Sequence, residues 1–186
     1  MARAKISDFL HSFRFHVVLT GFGNAGDKQL ERSTDDRSTA GFNAVSTPEA
    51  SHDAVEYREG TTIYTQKFPG IPSISDITLS RGVAHKDGAF WAWMKDVIEG
   101  NAEYRGNLDI FHLHRDARPA SGAGTLEEFT APEAAPPGGF IKYKCNQALP
   151  IRMKVSSDLD ATASEVSIQE LDLAIESFDV LDFPSA

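Results

Sequence analysis

The sequence predicts a mainly β fold: two packed antiparallel sheets, a sandwich or partly open barrel, with one flanking α-helix. Three observations carry this reading. Short segments in which apolar and polar residues alternate recur along the chain. One segment, "DGAFWAWMKDVIEGN", has the 3.6-residue period of a helix lying on a core. Stretches rich in Gly and Pro separate the alternating runs, as turns between strands require. Many strands and one helix pack most simply as sheet on sheet, with the helix over an end or a flank.

The first strand is Phe13–Thr20, where Phe13, Phe15, Val17 and Leu19 alternate with Arg14, His16, Val18 and Thr20 as on a half-buried strand. The polar stretch that follows, about 23–40, has no period and reads as a surface loop. Val55–Glu59 and Thr61–Phe68 read as two strands around Gly60. Pro69-Gly70 and Pro72 then predict a break over Phe68–Ser73, because proline fixes φ and removes a backbone donor. That break reads as a sheet corner, after which Ile74–Ser80 resumes as strand.

In the helix, Phe90, Trp93, Met94, Val97 and Ile98 form the buried stripe, with Asp87 as N-cap and Gly100 as C′ residue. Trp91 lies off that stripe; it is either partly buried against a loop or an anchor between subunits. Strands resume at Asn107–His114, Phe140–Gln147 and Leu149–Val155. Between the first two lies an Ala-, Gly- and Pro-rich insertion, about 116–139, read as an exposed loop. In the last run, "EVSIQELDLAIESF", Val166 and Ile168 are out of phase with Leu171, Leu173 and Ile175, which predicts a bulge or bend near Gln169-Glu170.

The chain's 186 residues suit a single domain, 1–186, carrying the two inserted loops. Apolar content of 41% and charged content of 24% are those of a globular protein. No apolar run is long enough to span a bilayer, and "MARAKISDFLHSFRF" lacks the apolar stretch of a secretory signal. A lone Cys145 excludes an intrachain disulfide and fits a reducing compartment, so assembly in the cytoplasm is expected. The net charge of −9 is uneven: Val155–Ala186 holds eight acidic residues and no Lys or Arg. Direct nucleic-acid recognition by this end is therefore not expected. The acidic end is either a solvated face or a surface that repels anions or meets a basic partner.

Candidate chemistry is sparse. His112 and His114, two apart on one strand, could present two imidazoles to a metal, but the sequence nominates no third ligand. Cys145 alternates with Ile141 and Tyr143 and reads as a small core residue. No GxSxG elbow occurs, and "GFGNAG" at Gly21–Gly26 is not followed by the long amphipathic helix of a dinucleotide fold. The acidic pairs Asp35-Asp36 and Glu127-Glu128 stand alone in loops. The expectation is a protein that is not an enzyme and carries no cofactor or metal.

Several segments, in order, carry a resemblance: "GFNAVS" (41–46), "VEYREG" (55–60), "KFPGIPSISDITLSRGV" (67–83), "FWAWMKDVIEGN" (90–101) and the acidic end "DLDATASEVSIQELDLAIESF". Together they resemble the phage tail-tube proteins and their relatives in contractile injection systems and phage-tail-like particles. The likeness covers nearly the whole chain outside 23–40 and 116–139. Members commonly run GF-x-x-V-S-G-L, whereas Thr47-Pro48 follow Ser46 here.

The resemblance implies a structural inner-tube protein, forming hexameric rings that stack into a hollow tube inside a sheath and deliver cargo through a target membrane. A baseplate tube-initiator or adaptor ring, or a secreted ring of a type VI-like system, shares the fold and remains an alternative. Implied partners are other copies of the chain, the sheath protein, baseplate and spike proteins, and effector cargo in the lumen. The implied particle is released, a virion component or membrane-anchored. The region Ala44–Glu59 matches the family's long loop toward a neighbouring ring, making Glu56, Tyr57, Arg58 and Glu59 candidates for assembly contacts; Trp91 on the helix is a further candidate, for lateral packing, or serves only the core. An ordinary strand with paired surface charges is the other reading of Glu56–Glu59. Glu170, Asp172 and Glu176 are candidates for an acidic lumen or ring face.

Overall fold

Fifteen residues, Phe140–Lys154, form one strand that belongs to two sheets. The computed structural model describes residues 9–21, 29–30, 41–60, 63–83, 88–100, 104–114, 140–160, 162 and 164–183. In chain order the elements are β1 (Phe15–Thr20), β2 (Gln29–Leu30), β3 (Phe42–Val45), β4 (Ala50–Tyr57), β5 (Gln66–Ile74), β6 (Ile77–Gly82), α1 (Ala89–Ile98), β7 (Gly106–Leu113), β8 (Phe140–Lys154), β9 (Ile168–Ala174) and β10 (Ser177–Phe183). Hydrogen bonding links them in the order β2-β1-β7-β8-β9-β6-β3, with β10 also on β8 and every pairing antiparallel. β4 and β5 pair only with each other.

The N-terminal part of β8 lies between β7 and β10, and its C-terminal part pairs with β9. The change of sheet falls at Gln147, a non-glycine residue with φ of 57°. Such a left-handed conformation costs an L-residue energy and persists where its surroundings fix it. Here the β7–β8 register shifts, and the Gln147 N–H donates to Asn107 Oδ1 at 3.3 Å. Two strands, Phe140–Gln147 and Leu149–Val155, were expected here; the structure joins them through a bend.

One core fills the space between the sheets. Val17 and Leu19 of β1, Leu108 and Ile110 of β7 and Cys145 of β8 meet Leu171 and Leu173 of β9 and Ile77 and Leu79 of β6. Phe90 and Trp93 of α1 close one side of it, and the Trp93 indole N–H donates to the Tyr104 carbonyl at 2.6 Å. A second cluster, Val18 with Phe111 and Phe140, lies on the opposite face of the first sheet. β1 is therefore buried on both faces, not half-buried as its alternation suggested.

The mainly β architecture with one flanking helix matches the expectation, and several details correct it. The hairpin strands run 50–57 and 66–74, so β5 passes straight through Pro69, Gly70 and Pro72 where a break was expected. The break falls instead at Ser75-Asp76, dividing the expected Ile74–Ser80 strand. Prolines are tolerated in β5 because only one of its edges is paired.

β9 is regular, with Gln169, Leu171 and Leu173 facing inward, and no bulge at Gln169-Glu170. The phase conflict is resolved because Val166 precedes the strand and Ile168 lies on its half-buried outer face, opposite Leu171 and Leu173. The irregularity lies on the partner, where Ile151 of β8 is extra between the Pro150–Leu173 and Arg152–Asp172 pairs. In α1, Phe90 and Trp93 are buried and Ile98 is exposed; Gly88 occupies the N-cap without a side-chain bond. Gly100 takes the expected C′ role, with φ of 74° and its N–H on the Val97 carbonyl at 3.2 Å. Asp87, Asp35-Asp36, Glu127-Glu128 and the loop 116–139 lie outside the described residues, as does 23–40 apart from β2.

Candidate assembly surfaces

The β4–β5 hairpin stands off the core, with all eight positions of β4 exposed. Its root is tied down. The Ser46 N–H donates to the Thr78 carbonyl at 3.0 Å, and Ser46 Oγ accepts from the Thr78 N–H at 2.7 Å. The Ser75 N–H donates to the Glu49 carbonyl at 2.9 Å, and Ser75 Oγ accepts from the Glu49 N–H at 3.0 Å. Midway, β5 carries one extra residue where His52 pairs with Pro72 and Ala54 with Pro69. Gly70 sits in that irregularity, and a Cβ there would lie 2.6 Å from the Asp53 carbonyl oxygen. Only glycine allows the two backbones so close.

Directly opposed residues of an antiparallel pair share a face. Val55 opposes Phe68, and Tyr57 follows two residues on, so these three define an apolar face. Glu56 opposes Lys67 on the other face, with Nζ and Oε1 3.4 Å apart. An amphipathic ribbon normally covers its apolar face; here Tyr57 is 53% exposed, and Val55 and Phe68 are about as open. Arg58 and Glu59 follow β4 at the end far from the root, both exposed. The hairpin thus brings Glu56, Tyr57, Arg58 and Glu59 together. Val55 and Phe68, which sequence reasoning did not single out, complete its apolar face. Alternation marked them, but only the cross-strand register shows which face they join.

Trp91 is 51% exposed on the outer side of α1, where Ile98 lies one heptad on and a Lys95–Glu99 ion pair spans 3.3 Å. It is remote in sequence from the hairpin and on a different element.

Glu170 and Asp172 lie on the outward face of β9. Arg152 reaches both, with Nη1 2.7 Å from Asp172 Oδ2 and Nη2 3.9 Å from Glu170 Oε2. Thr78 Oγ1 donates to Asp172 Oδ1 at 2.9 Å. The hydrogen bond and charge of Asp172 raise the Arg152 pKa further, so the guanidinium stays charged. Glu176, in the bend between β9 and β10, pairs with Arg105. Two guanidinium groups thus serve the three carboxylates, Arg152 being shared, so the negative charge of this face is partly compensated. Farther along, Asp160 accepts from the backbone N–H and the hydroxyl of Thr162, which lowers its pKa.

The residues examined for chemistry are placed otherwise. Cys145 is fully buried, and burial, with the nearby Asp109 charge, pushes its thiol up to about 12. His112 ends near the His11 carbonyl at 3.2 Å, and His114 lies just past the end of β7. Among the described residues no three His, Cys, Asp or Glu side chains gather as a metal would need. A buried Arg81 was not anticipated. Its guanidinium carbon lies 3.8 Å from the Phe90 ring centroid, and the Gln169 amide oxygen accepts from Nη2 at 2.9 Å and from Nε. The in-facing series Ile77, Leu79, Arg81 places it in the core.

Between β3 and the first sheet a groove of about 270 Å³ opens at the root of the hairpin. Phe15, Val45, Ile110 and Tyr143 supply apolar lining, and Asn43 and His112 supply polar groups.

The sequence matches the family described as T4-like virus tail tube protein gp19 over residues 11–179. The chain belongs to this family. That span takes in both sheets, the helix and the hairpin. No curated protein matches it by sequence. Its fold is similar to that of chains in solved contractile injection systems. One, in the cryo-EM structure of the anti-feeding prophage (AFP) baseplate, has a TM-score of 0.65 and 18% identity, with 97% of each chain covered. A second, in the AFP tube-terminating cap, has a TM-score of 0.65 and 22% identity, covering 98% of this chain and 95% of that one. A third, in the sheath–tube complex of the extracellular contractile injection system PVC, has a TM-score of 0.64 and 20% identity, covering 94% and 92%. Among the described residues no helix is long and apolar enough to cross a membrane.

Proposed function

We propose that this tail tube family member is a structural inner-tube subunit of a contractile injection system. Six copies form a ring, rings stack into a hollow tube within a sheath, and contraction drives the tube and its cargo into a target membrane. The observation that carries the reading is the uncovered apolar face of Val55, Tyr57 and Phe68 on a two-stranded ribbon. Such a ribbon is marginal by itself in water and gains its stability from what it packs against. Among the described residues β10 has a strand partner on one edge only, which leaves a second surface for a neighbouring copy to extend the sheet. Two different surfaces meeting head to tail are what ring closure and ring stacking require.

In this reading Glu56, Tyr57, Arg58 and Glu59 meet the neighbouring ring and Trp91 supports lateral or sheath contacts. Glu170, Asp172 and Glu176 belong to a ring or lumen face whose charge Arg152 and Arg105 moderate. Sheath, baseplate and spike proteins are the partners, cargo occupies the lumen, and assembly takes place in the cytoplasm. A second reading, a terminal ring at the baseplate or cap, is favoured by the equal likeness to the AFP baseplate and cap chains. Electron microscopy of the purified protein separates these from a monomeric role: rings or tubes with a central channel are expected. Tyr57→Asp in the ribbon's apolar face is expected to leave rings and abolish tubes. Copy number per particle, hundreds or six, then distinguishes tube from terminal ring. A strictly monomeric chain at high concentration, alone and with its baseplate, would falsify both.

A further inference from the structure

We propose that the groove at the hairpin root is the socket for the hairpin tip of a second copy, with Tyr64 as its principal occupant. The proposal rests on the stacking role above and assigns the receiving side of that contact.

The groove's dimensions select the class of ligand. At about 270 Å³ it lies at the lower edge of the roughly 300–1,000 Å³ of clefts that take small molecules, and it has room for one or two side chains. Its chemistry narrows the choice. An apolar lining of Phe15, Val45, Ile110 and Tyr143 beside Asn43 and His112 fits a side chain with an apolar body and a hydrogen-bonding end. Tyrosine is that side chain, because its ring buries and its hydroxyl still finds a partner.

The same chain presents one. Ile63 and Tyr64, in the connection from β4 to β5, are 84% and 83% exposed. They cannot serve their own groove. Groove and tip lie at opposite ends of β4, whose eight residues span roughly 26 Å at about 3.3 Å each. The ribbon is fixed at its root by the Ser46–Thr78 and Glu49–Ser75 bonds, so it does not fold back. An arm anchored at its root, with an exposed tyrosine at one end and a fitting cavity at the other, is complementary to a second copy of itself, displaced along the arm. That contact is heterologous and repeats, so it propagates. Charge does not oppose the contact: among the described residues no carboxylate lines the groove, and the ribbon's Glu56 is paired with Lys67 while Arg58 stands beside Glu59.

The test is a double variant, Asn43→Cys with Tyr64→Cys, in the full chain; Cys145 is buried and stays out of the reaction. Mild oxidation of assembled particles is expected to give a ladder of disulfide-linked multimers on a denaturing gel, whereas either single variant stops at dimers. Separately, Ala44→Trp, at an exposed position in the groove, is expected to cut the fraction of protein in stacked tubes at least tenfold, with an unchanged far-UV spectrum and intact rings. Stacked tubes without the ladder, or unhindered stacking of Ala44→Trp, overturn the socket and leave the tube reading standing. A chain that neither assembles nor cross-links overturns both.

Discussion

Arg81 and Cys145 show how little of the core's chemistry is chemistry of function. Both lie on inward faces among aliphatic side chains, one charged and one nucleophilic by type. Arg81 is held by the Phe90 ring and by the Gln169 amide, which takes up Nη2 and Nε and so offsets part of the cost of burying a guanidinium. It pins α1 to the second sheet. Cys145 behaves as a small apolar residue. Burial disfavours its thiolate, so the folded chain binds that proton more tightly than the unfolded chain. The resulting stability is complete below the ordinary thiol value of 9.0 and is lost as pH climbs toward about 12. Two outcomes are expected. Iodoacetamide at pH 8 labels the protein only after denaturant is added, and Cys145→Ala flattens the fall in stability between pH 9 and pH 12. Rapid labelling of the native protein would contradict the burial argument.

Among the elements, the hairpin depends most on a single position. Gly70→Ala would place a methyl group 2.6 Å from the Asp53 carbonyl oxygen, which the opposing backbone must give way to accommodate. A local cost of about 1–3 kcal/mol is expected. Amide exchange should rise throughout β4 and β5 while β7 and β9 stay protected; unchanged exchange in β4 would show that the close approach is not tight. The prolines around this glycine also show where sequence reading stopped. Alternation located β1, β7 and both halves of β8, since those strands sit against a core that enforces it. Pro69 and Pro72 were read as a break because proline forbids a central strand, and it is the neighbours, not the local sequence, that make β5 an edge. The supposed bulge in β9 had a similar origin: Val166, which precedes the strand, and Ile168, on its outer face, were asked to share the inner face of Leu171 and Leu173. Of the candidate assembly surfaces, the ribbon with Tyr57 and the charges around it was marked by the resemblance of ordered motifs. The groove was not, because β1, β3, β7 and β8 each supply part of it.

At the scale of the molecule, both sheets and the helix share one core, so they are expected to unfold together. Leu19→Ala in the first sheet and Leu173→Ala in the second should each cost about 2–5 kcal/mol. Each should shift a single urea transition seen identically by tryptophan fluorescence and far-UV circular dichroism. Two separable transitions would mean that the sheets are independent units. The hairpin is expected to be the exception, opening below the global transition, because it is a two-stranded ribbon whose β4 is exposed throughout.

The passage of β8 from one sheet to the other has a mechanical meaning. A thrust applied to one sheet reaches the other along the covalent backbone through Gln147, not solely across side chains that can slide. The neighbours of β8 lie antiparallel along it on both stretches, so a pull along its axis loads their hydrogen bonds in shear, many at once. A subunit built this way resists being drawn out lengthwise. Its compliance is concentrated in the hairpin, which among the described residues pairs with no strand of either sheet.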